Sequence, residues 1–209
     1  MQIKEVGIEK EYFLRTKKDR LVEPAEYGFP YDEMGFLVEL RSVPSTKAST
    51  VYMSLLQEKA HQQTRARRYD LTLEEVSSVF YDSKWVDAVA KKYKIHDFID
   101  YTQNVYGTQE SHHLGIFKEN GLSKLTAGMH VHFSSRDNKT GKVIELPIEE
   151  IVREMDFRFR KDIKDSKRIL GEWEPKPHGF EYRSLPNTMD SYIVTKTALE
   201  VMENAINKY

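Results

Sequence analysis

The chain has 209 residues, 39% of them hydrophobic and 11% aromatic, which suits one folded domain over residues 1–209 and argues against disorder. Lys+Arg number 32 against 33 Asp+Glu, so the net charge is -1 and there is no whole-chain basic field for nucleic acid. Cysteine is absent, which excludes disulfides, thiolate metal sites and a cysteine nucleophile, and no apolar run reaches membrane-spanning length. The charged N-terminus lacks a signal peptide's apolar core, so the expectation is a soluble, cytoplasmic protein with no membrane partner.

The first element is a strand over residues 4–14, because side chains of a strand alternate between faces. Val6, Ile8, Tyr12 and Leu14 share one face, with Lys10 as the exception, and Glu5, Gly7, Glu9, Glu11 and Phe13 share the other. "EPAEYGFPYDEMG" (23–35) reads as a loop, and "MGFLVELRSVP" as a strand ended by Pro44. Residues 46–63 carry helical spacing at Val51, Leu55 and Leu56, and the run with Arg65, Arg67 and Arg68 reads as a solvated end after that helix. Thr72 and Glu75 have capping-box spacing and predict a helix carrying Val76, Val79 and Phe80, with a break near Asp82–Ser83 and a second helix to Tyr93.

Residues 100–126 have no clean period and read as loop-rich. Residues 126–135 predict a strand, 146–168 the longest helix, 172–187 a turn followed by a strand from Gly179, and 189–209 an amphipathic helix. The charge-rich stretch from Asp156 to Arg168 reads as surface, with Asp156 and Arg160 spaced for an i, i+4 pair. No glycine-rich phosphate loop follows any strand, so the predicted class is α+β with a mainly antiparallel sheet.

The alternation recurs in four strands. Met34, Phe36, Val38 and Leu40 oppose Glu39 and Arg41, while Met129, Val131 and Phe133 oppose His130 and His132. Phe180 and Tyr182 oppose Glu181 and Arg183. One such strand is an ordinary antiparallel strand with a solvated face. Four in one sheet would gather Glu9, Glu11, Glu39, Glu181, His130 and His132 on one surface, with Arg41 and Arg183 beside them. Clustered carboxylates need cations to stay ionised. Mg²⁺ or Mn²⁺ suits oxygen donors plus an imidazole, and the arginines suit a bound phosphate chain.

"GIEKE" (7–11), "VELRS" (38–42), "AGMHVHFS" (127–134) and "PHGFEYRSLPN" (177–187) resemble the signature strands of carboxylate–amine ligases, the glutamine synthetase and glutamate–cysteine ligase superfamily. The likeness is greatest to the short amidoligases of bacterial viruses, for which the compartment would be the host cytoplasm. The resemblance implies a curved, mainly antiparallel sheet with helices on one face and an open polar active-site face. It also implies ATP and Mg²⁺ (or Mn²⁺), with small-molecule or peptide carboxylate and amine substrates. A carboxylate would attack the γ-phosphate of ATP to give an acyl phosphate, from which an amine displaces phosphate. By motif, Glu9, Glu11, Glu39, His130 and Glu181 look like metal ligands, and Arg183 like the contact to the transferring phosphate. Arg41 has two readings, a phosphate ligand or a ligand of the substrate carboxylate. His132 likewise contacts nucleotide or pairs with a carboxylate. Assembly is common in the superfamily, so the resemblance extends to a homo-oligomer.

Lys176 and His178 precede the last strand, where they could meet a phosphate or simply form a turn. His112 and His113 are adjacent, a spacing that rarely chelates one ion well, and they read as structural. Two other functions share the side-chain inventory. One is a metal-dependent nuclease or phosphodiesterase, and the other is a nucleotide-binding protein that has lost turnover.

Overall fold

The computed structural model describes residues 2–32, 35–93, 101–106, 108–112 and 118–208. In chain order the elements are β1 (Gln2–Thr16), β2 (Leu37–Arg41), α1 (Ala48–Arg68), β3 (Leu71–Glu74), β4 (Ser78–Asp82) and α2 (Ser83–Lys92). They continue with β5 (Tyr101–Val105), β6 (Thr108–His112), β7 (Lys118–Glu119), β8 (Leu122–Thr126) and β9 (Gly128–Asp137). The last are α3 (Ile148–Asp165), β10 (Glu172–Lys176), β11 (Gly179–Pro186) and α4 (Ser191–Asn207). The class is α+β, with antiparallel pairing throughout the described sheets.

An open eight-stranded sheet runs β2-β1-β9-β11-β10-β5-β6, and β3 also pairs with β1. The length of β1 permits this. Its residues 9–13 pair with β2, residues 13–16 with β3 and residues 2–10 with β9. The four strands singled out by alternation are therefore consecutive neighbours, β2-β1-β9-β11. Gly179 opens β11 at φ 149°, where a Cβ would lie 2.1 Å from the Phe133 carbonyl oxygen, so only glycine fits this strand entry.

One face of the sheet is apolar. Val6, Ile8, Tyr12, Leu14, Val38 and Leu40 bury there with Met129, Val131, Phe133, Phe180 and Tyr182. α1, α3 and α4 cover them through residues such as Val51, Leu55, Met155, Val194 and Met202. Each of these helices is amphipathic, so burial of one stripe rather than intrinsic propensity holds it in place. A second core lies beyond Glu11 on the other face. Phe13, Leu21, Phe36 and Leu37 pack there with Val79, Val86, Val89 and Leu125, under α2 and a small sheet ordered β4-β8-β7.

Several expectations are corrected. The helix predicted from Thr72 is two strands, β3 and β4. Leu71 and Leu73 alternate into the main core and pair with Thr16 and Leu14, so sheet pairing overrides the local capping signal. Glu75 caps nothing and pairs with Lys10 and Lys59 instead. The helix begins only at Ser83, after the predicted break, where Asp82 Oδ1 accepts from the amides of Lys84 and Trp85. The loop-rich reading of 100–126 gives way to four strands, β5–β8. Residues 172–176 are a strand rather than a turn. Arg65, Arg67 and Arg68 belong to the last turn of α1 and do not follow it. Phe36 packs in the second core, away from Val38 and Leu40. Asp156 is 4% exposed and accepts from the Tyr182 hydroxyl at 2.6 Å, in place of the predicted pair with Arg160. Met34 and His113 lie outside the described residues.

Candidate metal centre

The polar face is built by register. On β1, Glu9 faces Arg41 of β2 on one side and His130 of β9 on the other, and Glu11 faces Glu39. On β11, Glu181 faces His132 of β9 and Glu174 of β10. Because side chains alternate, these residues all point away from the helices. A register shift between Tyr182 and Leu185 restores the apolar face afterwards, so Leu185 is buried in the main core.

Cross-strand contacts knit the patch together. His132 Nε2 is 3.2 Å from Glu9 Oε1, and His130 Nδ1 is 2.8 Å from Glu181 Oε1. His130 Nε2 is 3.9 Å from Glu11, whose other oxygen accepts from the Gly128 amide at 2.5 Å. Arg41 reaches both Glu9, at 2.9 Å, and Glu39, at 2.5 Å. Lys176 bridges Glu181 at 2.8 Å and Glu174 at 3.0 Å. Arg183 pairs with Glu174 at 2.7 Å and lies 3.8 Å from Glu181. His178 stands behind His132, with Nε2 3.2 Å from the Nδ1 of that ring.

Electrostatics follow from these contacts. Burial pushes the Glu9 carboxyl up, but His132 and Arg41 outweigh it and hold it below the usual value. Burial also opposes ionisation of Glu181, yet His130, Arg183 and Lys176 hold its carboxyl well below the ordinary range. Glu39 moves the other way, raised by burial and then by the charge of Glu9. Burial and the neighbouring His132 lower His178, which favours its neutral ring. The cluster thus holds ionised carboxylates in a poorly solvated patch, where a further cation is favoured.

Ligand atoms of Glu9, His132 and Glu181 all lie within 4.8 Å of one another. The Nε2 of His132 is buried, and its approach to Glu9 is too oblique for a hydrogen bond, so it has no hydrogen-bond partner. Two carboxylates plus one imidazole with a free nitrogen are a donor set that fits Mg²⁺ or Mn²⁺. No protein-family model and no curated protein matches this chain. Its chemistry is therefore read from these contacts.

All ten side chains singled out as site residues lie on or beside this patch. His132 stands with Glu9 and Glu181 in the converging triad. Glu11, Glu39 and His130 surround it, each held by another partner: the Gly128 amide, Arg41 and Glu181 in turn. A pocket of about 270 Å³ opens beside the triad, lined in part by Glu5, Gly7, Arg41, Arg136 and His178. Two participants were not anticipated. Glu174 anchors both Lys176 and Arg183, and its signal was its place two residues before Lys176, legible only once β10 is seen to be a strand. Arg168 reaches the patch from the α3–β10 turn, hidden in a stretch that reads as surface charge.

Proposed function

We propose that the chain is an ATP-dependent carboxylate–amine ligase that makes an amide through an acyl phosphate, on a sheet of the glutamine synthetase/glutamate–cysteine ligase type. The observation that carries this reading is the convergence of Glu9, His132 and Glu181, drawn from three adjacent strands, with Arg41, Lys176 and Arg183 in ion-pair contact around them. Carboxylates framed by guanidinium and ammonium groups suit a metal–polyanion complex, because each charge sign then meets its opposite.

In this reading Glu9, His132 and Glu181 hold Mg²⁺ or Mn²⁺, with Glu11, Glu39 and His130 as neighbouring donors. The bound ion neutralises phosphate oxygens and lowers the repulsion between ATP and an incoming carboxylate. Arg183, tied to Glu174 at 2.7 Å, has its planar fork oriented in advance and stabilises charge at the γ-phosphate. Lys176 and His178, on the β10–β11 turn, flank the phosphate chain. Arg41 is the most exposed of the three cations, at 69%, and suits the entering substrate carboxylate. No protein nucleophile is required, since phosphoryl transfer depends on positioning and charge neutralisation.

The test is ADP formation by the purified chain with Mg²⁺ or Mn²⁺ and a panel of carboxylates and amines. An amine-dependent rise in ADP is expected, with Glu181→Gln lowering it by roughly 10²-fold, the scale for removal of one electrostatic stabiliser. Cleavage of DNA or RNA without ATP would replace this reading with the hydrolase. Nucleotide binding with no turnover on any pair of substrates would replace it with the inactive binding protein.

A further inference from the structure

Arg168 is delivered to the polar face by a strained turn. The end of α3 is closed by two reverse hydrogen bonds, Lys167 N–H to the Lys164 carbonyl at 3.0 Å and Arg168 N–H to the Ile163 carbonyl at 3.1 Å. That motif needs a left-handed residue at Lys167, whose φ is 59°. Glycine is the usual occupant, so a lysine there adopts a costly conformation to reverse the chain at this point. The next residue, Arg168, then turns back over the sheet.

Three observations fix where its guanidinium goes. Its Nη2 donates to the Arg183 carbonyl at 2.6 Å. Its two terminal nitrogens lie 2.9 and 3.0 Å from the point that a Cβ on Gly128 would occupy, and His130 Nε2 is 3.0 Å from the same point. Gly128 and His130 are alternate residues of β9, so this point is on the polar face. Gly128 is not in the left-handed region, so its lack of a side chain serves the close approach of Arg168 and His130.

The guanidinium is also incompletely satisfied. Its Nε is buried without a hydrogen-bond partner. Among the described residues Arg168 makes no ion pair, although four glutamates of the patch are all paired with cations. A partly buried guanidinium with an idle donor and no counter-charge is unfavourable until an anion completes it.

We propose that Arg168 is a ligand-binding residue that, together with Arg183, holds a phosphoryl oxyanion over Gly128. This rests on the ligase reading and deepens it by assigning the terminal phosphate of the nucleotide to a two-arginine receptor. Guanidinium groups grip such oxyanions through paired N–H donors, which an ammonium cannot reproduce.

Calorimetric titration of the full chain in excess Mg²⁺, with a non-hydrolysable ATP analogue and separately with ADP, isolates the terminal phosphoryl. For Arg168→Met the expected result is a loss of about tenfold or more in affinity for the analogue, with ADP affinity within about twofold and an unchanged melting temperature. Arg168→Lys keeps the stem and the charge and safeguards folding. It is expected to recover only part of the loss. Wild-type affinity for the analogue in Arg168→Met would overturn the proposal, as would an equal loss for both nucleotides, which marks a purely structural role. If the wild type binds the analogue no better than ADP, the ligase reading fails and the Arg168 assignment falls with it. A wild-type preference for the analogue that Arg168→Met and Arg168→Lys both retain removes the Arg168 assignment alone.

Discussion

Three successive odd positions of β1 point to the same side of the sheet and meet different fates. Glu9 and Glu11 enter a patch of carboxylates, imidazoles and cations, whereas Phe13 is fully buried in the second core. The backbone is one continuous strand, so the difference comes from what lies above it. α2 and the small sheet cover the end that carries Phe13, and Leu37 arrives there as its partner on β2. No apolar element covers Glu9, whose neighbours across the sheet are Arg41 and His130. A sheet face is therefore polar or apolar segment by segment. The second core bounds the polar patch at one end, which limits solvent there and strengthens every charge contact within it.

The largest expected effect is at the covered end. Phe13→Ala should cost roughly 3–5 kcal/mol in urea unfolding, as for other buried aromatics, without altering the ligand set of the patch. A loss below about 1 kcal/mol would mean that the cavity collapses readily and that this end is not a true core.

The next effect belongs to the open end and has the opposite signature. Glu9→Gln should leave metal-free stability within about 1 kcal/mol of wild type, because surface-facing ion pairs contribute little. Wild type with Mn²⁺ at 100 times its Kd should gain about 2.7 kcal/mol, a gain that chelation reverses and that the variant lacks. Equal stabilisation of both proteins by Mn²⁺ would move the ion away from Glu9.

The smallest effect tests the face opposite the patch. Lys10 lies between the two glutamates in sequence but points to the helices, where its ammonium meets Glu75 at 2.6 Å. Burial raises the Glu75 carboxyl, but Lys10 and Lys59 outweigh it, so the folded value lies below the unfolded one. The stabilisation is therefore present above the usual carboxylate range and is lost as pH falls through the folded value. Glu75→Gln should cost about 1 kcal/mol at pH 7, and the difference from wild type should disappear at low pH. A difference that stays constant with pH would show that packing rather than charge is the cause.

Periodicity alone was enough for the four signature strands, because a half-buried strand writes its two faces into alternate letters. Val6, Ile8, Tyr12 and Leu14 against Glu9 and Glu11 are legible without coordinates. The same holds for α4, whose apolar stripe and Asp190 cap are local signals. Local signals failed where pairing overruled them. Thr72 and Glu75 spelled a helix start, yet Leu71 and Leu73 had a place on β1 that was worth more than a cap. The weakly patterned residues 100–126 became strands through backbone pairing, which leaves little trace in side-chain order.

The site divides in the same way. Its ligand types could be read from the sequence, since paired carboxylates and imidazoles on one strand face have few structural uses. Only the tertiary structure decided that His132 joins Glu9 and Glu181, because a cross-strand register shared by three strands is not encoded in any one of them. It alone brought in Glu174, through the pairing of β10, and Arg168, through a left-handed lysine at the end of a helix. Sequence determines which side chains a strand can offer to a face. Long-range pairing determines which of them meet, because those contacts form between residues up to about 170 positions apart along the chain.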